Sequence, residues 1–161
     1  MDDDEVTIKL CSRGNFLGSQ SVSGAQTAQN WHQRGLVCKL NAISGGSFTY
    51  VKAYSHYIGS FDSSNQLYVF DVKTGKYRSF SFTNASIVSF CFLCSYADHI
   101  GIVFDDNSLC IFDWRTSSVL STFRVPEATQ SVDSIDNQHI LLTLSSGKIV
   151  MVDLRYIEHL N

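Results

Sequence analysis

One pattern occurs three times in this chain at a nearly fixed interval, and it limits the possible folds more than any other feature. Residues 58–71, 102–113 and 142–153 each run as an apolar strand, a tight polar turn, a four-residue apolar run and a closing aspartate. The aspartates, Asp71, Asp113 and Asp153, lie 42 and 40 residues apart. A unit repeated at such an interval predicts a stack of like modules, each covering its neighbour. The four-residue runs say why: Leu67 to Phe70, Leu109 to Phe112 and Ile149 to Val152 are apolar at every position. A strand apolar on both faces must be covered on both faces, so one unit alone could not satisfy it.

The flanks extend the pattern. Further strands are expected after the aspartate at residues 77–82 and 119–125, and upstream at residues 48–53 and 87–93. A histidine enters the second strand of each unit, as His56, His99 and His139. Helical spacing is not sustained anywhere, and eleven Phe, seven Tyr and a single Pro suit a half-buried pleated surface. The expected fold is all-β: three four-stranded antiparallel blades over residues 36–160, bounded near 36–82, 85–125 and 129–160. The interval matches a propeller blade of about 40–45 residues. Closed propellers have about four to eight blades, so further blades in cis or in trans are expected.

Residues 1–34 differ. An acidic start leads into Val6, Ile8 and Leu10 alternating with polar residues, a candidate strand. Residues 18–30 are a Ser/Gln/Gly/Ala stretch with little to bury, expected to be flexible.

The repeats resemble the WD-repeat family. Phe112-Asp113-Trp114, with Phe70-Asp71 and Val152-Asp153, sits where that family carries Trp-Asp. Asp105-Asp106-Asn107-Ser108 is similar to its Asp-rich turn between the middle strands. The motif is degenerate: no Trp precedes the aspartates and no Gly-His dipeptide opens a unit. The resemblance implies a propeller and a non-catalytic protein-binding scaffold. A shorter likeness, in Trp31-His32, Arg34 to Val37 and Leu67 to Asp71, is to the opening of WD-repeat proteins that carry a TBC domain downstream and work at centrosomes and cilia. It implies a centrosomal, ciliary or trafficking context, with any Rab-GAP activity outside these residues.

Composition narrows the remaining classes. A formal charge of −3 with scattered Lys and Arg gives no footprint for a nucleic-acid backbone. The N-terminus lacks a secretory signal, no apolar run is long enough to span a bilayer, and five irregularly spaced cysteines do not form a disulfide framework. A reducing, cytoplasmic location is expected, with cytoskeleton or centrosome implied by the resemblance.

Catalytic and metal residues are not expected, nor is a cofactor. Cys91 and Cys94 fall on opposite faces of a strand and read as buried thiols rather than zinc ligands. The three histidines, one per blade, would be spread around an axis rather than gathered. A rival reading comes from Leu67 to Gly75, which also resembles the strand and turn of quinone-binding propeller enzymes. A third is a truncated product without independent function. The candidate contacts for a peptide or another propeller segment are Asp62, Asn65, Asp98, His99, Asp105, Asp106, Asn107, Arg115 and Lys148. Phe70, Phe112 and Val152 join the three aspartates as repeat anchors.

Overall fold

The computed structural model describes residues 7–12, 15–21, 47–93, 96–136 and 138–159, with side chains from residue 47 onward except at 96–97 and 157–159. Near the start, β1 (Thr7–Ser12) and β2 (Asn15–Ser21) pair antiparallel. Thus β2 takes in residues 18–21, for which composition alone suggested flexibility. Residues 22–46, which include the Trp31 to Val37 likeness, lie outside the described residues.

Three antiparallel meanders follow. The first joins β3 (Phe48–Tyr54), β4 (Tyr57–Asp62), β5 (Gln66–Asp71) and β6 (Lys76–Ser81) in chain order. The second joins β7 (Ile87–Leu93), β8 (Tyr96–Phe104), β9 (Ser108–Asp113) and β10 (Ser118–Arg124). The third joins β11 (Thr129–Ser134), β12 (His139–Leu144) and β13 (Ile149–Asp153). The first strands sit together on the inner side: Val132 N donates to Ser89 Oγ at 3.3 Å, and Lys52 Nζ reaches across to Asp133 at 2.7 Å. The third strands therefore lie toward the outside.

The apolar runs are covered as their pattern demands. In β5, Leu67 and Val69 face blade two and join Phe90, Phe92, Ile100, Ile102 and Phe112 in one core. In β9, Leu109 and Ile111 face blade three and join Val132, Ile140 and Leu142 in a second. At the centre of the first core Phe90 is fully buried, its ring edge-on to Tyr50, Phe61 and Phe92 at 5.8–6.1 Å. Such ring pairs add about 0.5–1.5 kcal/mol each beyond area burial.

Two expectations are corrected. The third sheet has three strands among the described residues, because after Asp153 the chain continues as a 3-10 helix, Leu154–His159. In the first two blades the reversal into the fourth strand passes through a left-handed residue, Gly75 at φ 69° and Ser117 at φ 60°. The histidines, too, are not equivalent. Val72 N donates to His56 O, Trp114 N to Asp98 O and Leu154 N to Gln138 O. His56 therefore matches Asp98 and Gln138, and it is Tyr57 that matches His99 and His139 opposite the closing aspartates.

Candidate functional site

In a meander, alternate turns lie at opposite ends of the blade. The turns between second and third strands and the linkers between blades form one end. The turns between first and second strands, and those after the closing aspartates, form the other. The nine candidate contact residues divide accordingly: Asp62, Asn65, Asp105, Asp106, Asn107 and Lys148 belong to the first end, Asp98, His99 and Arg115 to the second.

At the first end each turn pivots on a left-handed residue, Asn65 (φ 63°), Asn107 (φ 65°) and Gly147 (φ 81°). Asn and Gly are the residues that tolerate this backbone. Asp62 is buried, and its carboxylate accepts from Ser64 N, Gln66 N and Tyr68 Oη at 2.9–3.1 Å. Asn65 Nδ2 donates to the carbonyls of Phe82 and Ala85 while its Oδ1 accepts from Ile87 N, tying the turn to the next blade. Both side chains are engaged in holding the turn rather than presented to a partner. Asp105 and Asp106 are exposed, the former accepting from Ser86 N and the latter from Ser108. Lys148 is exposed and paired with Glu127 at 2.8 Å. Between the outer parts of blades one and two, a groove of about 500 Å³ opens along Phe82, Asn84, Asp106, Val119, Phe123 and Arg124.

The other end is richer in cations. Arg115 places Nε 2.6 Å from Asp98 and Nη2 3.3 Å from Tyr57 Oη, with its guanidinium 5.8 Å from the Trp114 ring centre. Arg78 of blade one donates to the Arg115 carbonyl and to Ser117 Oγ. Tyr57 and Trp114 meet edge to face at 5.1 Å. Sequence reasoning named Asp98 and Arg115 but missed Tyr57, Trp114 and Arg78. The signal available was Trp114, an aromatic directly after a repeat aspartate.

The repeat aspartates themselves fasten these turns. Asp71 Oδ1 accepts from Lys73 N and Thr74 N, Asp113 Oδ1 from Arg115 N and Thr116 N, and Asp153 Oδ1 from Arg155 N. Burial alone would push the Asp71 and Asp113 carboxyls up, but the turn hydrogen bonds outweigh it and both lie below the usual value. Hydrogen bonding from Arg155 takes Asp153 down to about 2. His99 Nε2 and His139 Nε2 stand 3.9 and 3.6 Å from the carboxylates of Asp113 and Asp153, their cross-strand partners.

Cys91 and Cys110 are reduced thiols buried in the cores, and burial pushes Cys110 up to about 11. Cys94 lies outside the described residues. Among the described residues, no three His, Cys, Asp or Glu gather where a metal could bind, and no helix is long and apolar enough to cross a membrane.

No family model matches the chain, and no curated protein matches it in sequence. Solved structures do match. The β-propeller domain of Cps50 (Swd1) from Myceliophteria thermophila superimposes with a TM-score of 0.54 at 12% identity, over 66% of this chain and 36% of that one. Sqt1 from Saccharomyces cerevisiae superimposes with a TM-score of 0.58 at 13% identity, over 70% of this chain and 33% of that one. The chain spans about a third of each neighbour. The likeness shows the fold, a partial β-propeller.

Proposed function

We propose that this chain is a non-catalytic protein-interaction scaffold built from WD-type blades, working with further blades in cis or in trans. The supporting observation is how the turns are made. Asx-type hydrogen bonds and left-handed residues fix them on a buried stack, leaving Asp105, Asp106, Arg78 and Arg115 exposed on rigid mounts. A rigid rim binds a peptide without ordering cost to itself, which is how such a platform gains affinity. The two ends differ in chemistry. Asp105 and Asp106 suit a basic segment, and the Arg78 and Arg115 end suits an acidic or aromatic one. A cytoplasmic site at the centrosome or along trafficking routes fits the likeness in residues 31–37 and is part of this proposal.

Proximity labelling in cells with the chain as bait, comparing wild type with Asp105→Lys/Asp106→Lys and with Arg78→Glu/Arg115→Glu, tests the reading. Each reversal should remove a different subset of neighbours while the thermal transition of the purified protein stays cooperative. A neighbour set indifferent to both reversals contradicts the scaffold reading. Absorbance beyond the aromatic band in protein purified from its natural source would favour the quinone-enzyme alternative instead.

A further inference from the structure

The two junctions between blades are built alike and finished differently. Each linker leaves its outer strand through the same hydrogen bond, Phe82 N to Asn65 O at 3.4 Å and Val125 N to Asn107 O at 2.8 Å. The facing turns correspond through their left-handed residues, Asn107 and Gly147. Between blades two and three, Glu127 of the linker takes Lys148 of the facing turn at 2.8 Å. Between blades one and two, Ser108 stands in the place of Lys148 and bonds back to Asp106 through its N and Oγ. Counted from either end of the linker, Glu127 matches Asn84 or Ala85, neither of which carries a charge. The groove of about 500 Å³ opens at this junction. Phe82, Phe104 and Cys110 are among its lining, with Val119, Thr122 and Arg124 of β10. Val119 lies opposite Phe112 as Tyr77 lies opposite Phe70, so an aliphatic side chain fills the place where blade one has a ring. A bulge in β10 adds Leu120, which has no counterpart in β6, and Val119 and Leu120 are 57% and 48% exposed. Blade two has a described blade on either side, so this exposure belongs to the outer perimeter of the stack.

We propose that this groove binds an extended segment of a partner protein that carries a large apolar side chain and, about three residues away, a Lys or Arg. This deepens the scaffold reading and rests on it. The chemistry of the groove is divided along its length. Phe82, Phe104 and Val119 offer an apolar bed, and charge gathers at the turn end, where Asp105 and Asp106 face the single guanidinium of Arg124. Two carboxylates against one cation leave that end acidic, which selects a basic group on the occupant. Hydrogen bonds from Ser108 hold the Asp106 carboxyl below its usual value, so it is ionised at neutral pH. Both of those bonds go to Oδ1, which leaves Oδ2 for the incoming cation. A strand rises about 3.3 Å per residue, so the wall from Val119 to Arg124 spans roughly five extended residues. The site is also preformed. Asn65 donates to the carbonyls of Phe82 and Ala85 and accepts from Ile87 N, and Asp105 accepts from Ser86 N, which pins the linker on both sides of Asn84. The ordering cost of binding then falls on the segment alone.

The natural segment being unidentified, the probe is a random heptapeptide library displayed on phage and selected on the whole chain. Selection should converge on a large apolar residue spaced about three positions from a Lys or Arg. The selected peptide, labelled with fluorescein, should bind saturably in an anisotropy titration. Val119→Glu and Asp106→Lys should each weaken it about tenfold or more. Changing the basic residue of the peptide to Glu should restore binding to the Asp106→Lys protein. Asn84→Glu/Ser108→Lys, which sets the ion pair of the other junction across this one, should abolish binding while the thermal transition stays cooperative. A selection that does not converge, or that converges on peptides without a basic residue, overturns the proposal. Binding indifferent to both Val119→Glu and the transplanted ion pair overturns it as well. Self-association lost in Val119→Glu would also overturn it, assigning the groove to a second copy. If the library yields nothing while the rim reversals still remove cellular neighbours, the scaffold stands without this groove. If the peptides bind as expected and the reversals change nothing in cells, the groove stands as a peptide site and the scaffold reading falls.

Discussion

Asp62 and Lys148 sit in equivalent turns at the same end of the stack, yet they should respond oppositely to substitution. Asp62 is 2% exposed and accepts from two turn amides and the buried Tyr68 hydroxyl. Removing the carboxylate in Asp62→Ala strips charge-assisted bonds from buried donors and should cost about 1.5–3 kcal/mol. Lys148→Ala removes an exposed ion pair and should stay within about 0.5 kcal/mol. Urea denaturation of both variants makes the comparison, and equal losses would contradict the assigned roles. The closing aspartates carry a pH signature. Asp71, Asp113 and Asp153 all titrate below their usual range when folded. The unfolded chain binds protons first on acidification, so their contribution is complete above an unfolded value of about 4. It is lost as pH falls through the folded values, about 2 for Asp153. The melting temperature should hold steady down to about pH 4 and then fall. Asp153→Asn should show a shallower decline between about pH 4 and 2. A decline as steep as that of wild type would refute this role for Asp153.

At the scale of the strand, two equivalent glycines separate packing from pattern. A Cβ on Gly59 would meet Phe90 at 2.5 and 2.8 Å and Phe92 at 3.0 Å. Both rings are buried and held by aromatic neighbours, so they have little room to yield. Gly59→Ala should therefore lose about 1–3 kcal/mol through overpacking. A Cβ on Gly101 meets nothing nearer than Cys91 Sγ at 3.5 Å, so Gly101→Ala should be tolerated, a contrast readable by thermal melts. The sequence made the elements legible because turn residues and apolar runs recur in step. The expected strands at 48–53, 87–93 and 119–125 appear at Phe48–Tyr54, Ile87–Leu93 and Ser118–Arg124. Side-chain roles within turns were less legible. That Asp62 turns inward depends on Tyr68, six residues away on the next strand. The histidine register was readable in part. His56 and His99 are 43 residues apart where Asp71 and Asp113 are 42, and that one-residue excess marks His56 as out of phase. The third sheet keeps three strands among the described residues because the chain after Asp153 continues as a 3-10 helix, Leu154–His159.

Among the described residues, two of the three stacked units have the cover their sequence demands and the last does not. The inner strands are tied across the stack by the Lys52 and Asp133 pair and by Val132 N on Ser89 Oγ. The cores between blades are continuous sheets of aromatic and aliphatic contact. Protection should therefore follow position in the stack rather than residue type, since local opening tracks burial and backbone pairing. Hydrogen exchange along the isolated chain tests this most directly. The amides of β5 and β9 should be among the slowest to exchange, and those of Ile149–Asp153 in β13 should exchange orders of magnitude faster despite an equally apolar sequence. Protection of β13 equal to that of β9 in the monomer would mean the edge is already covered, and would contradict the account of three blades with one open side.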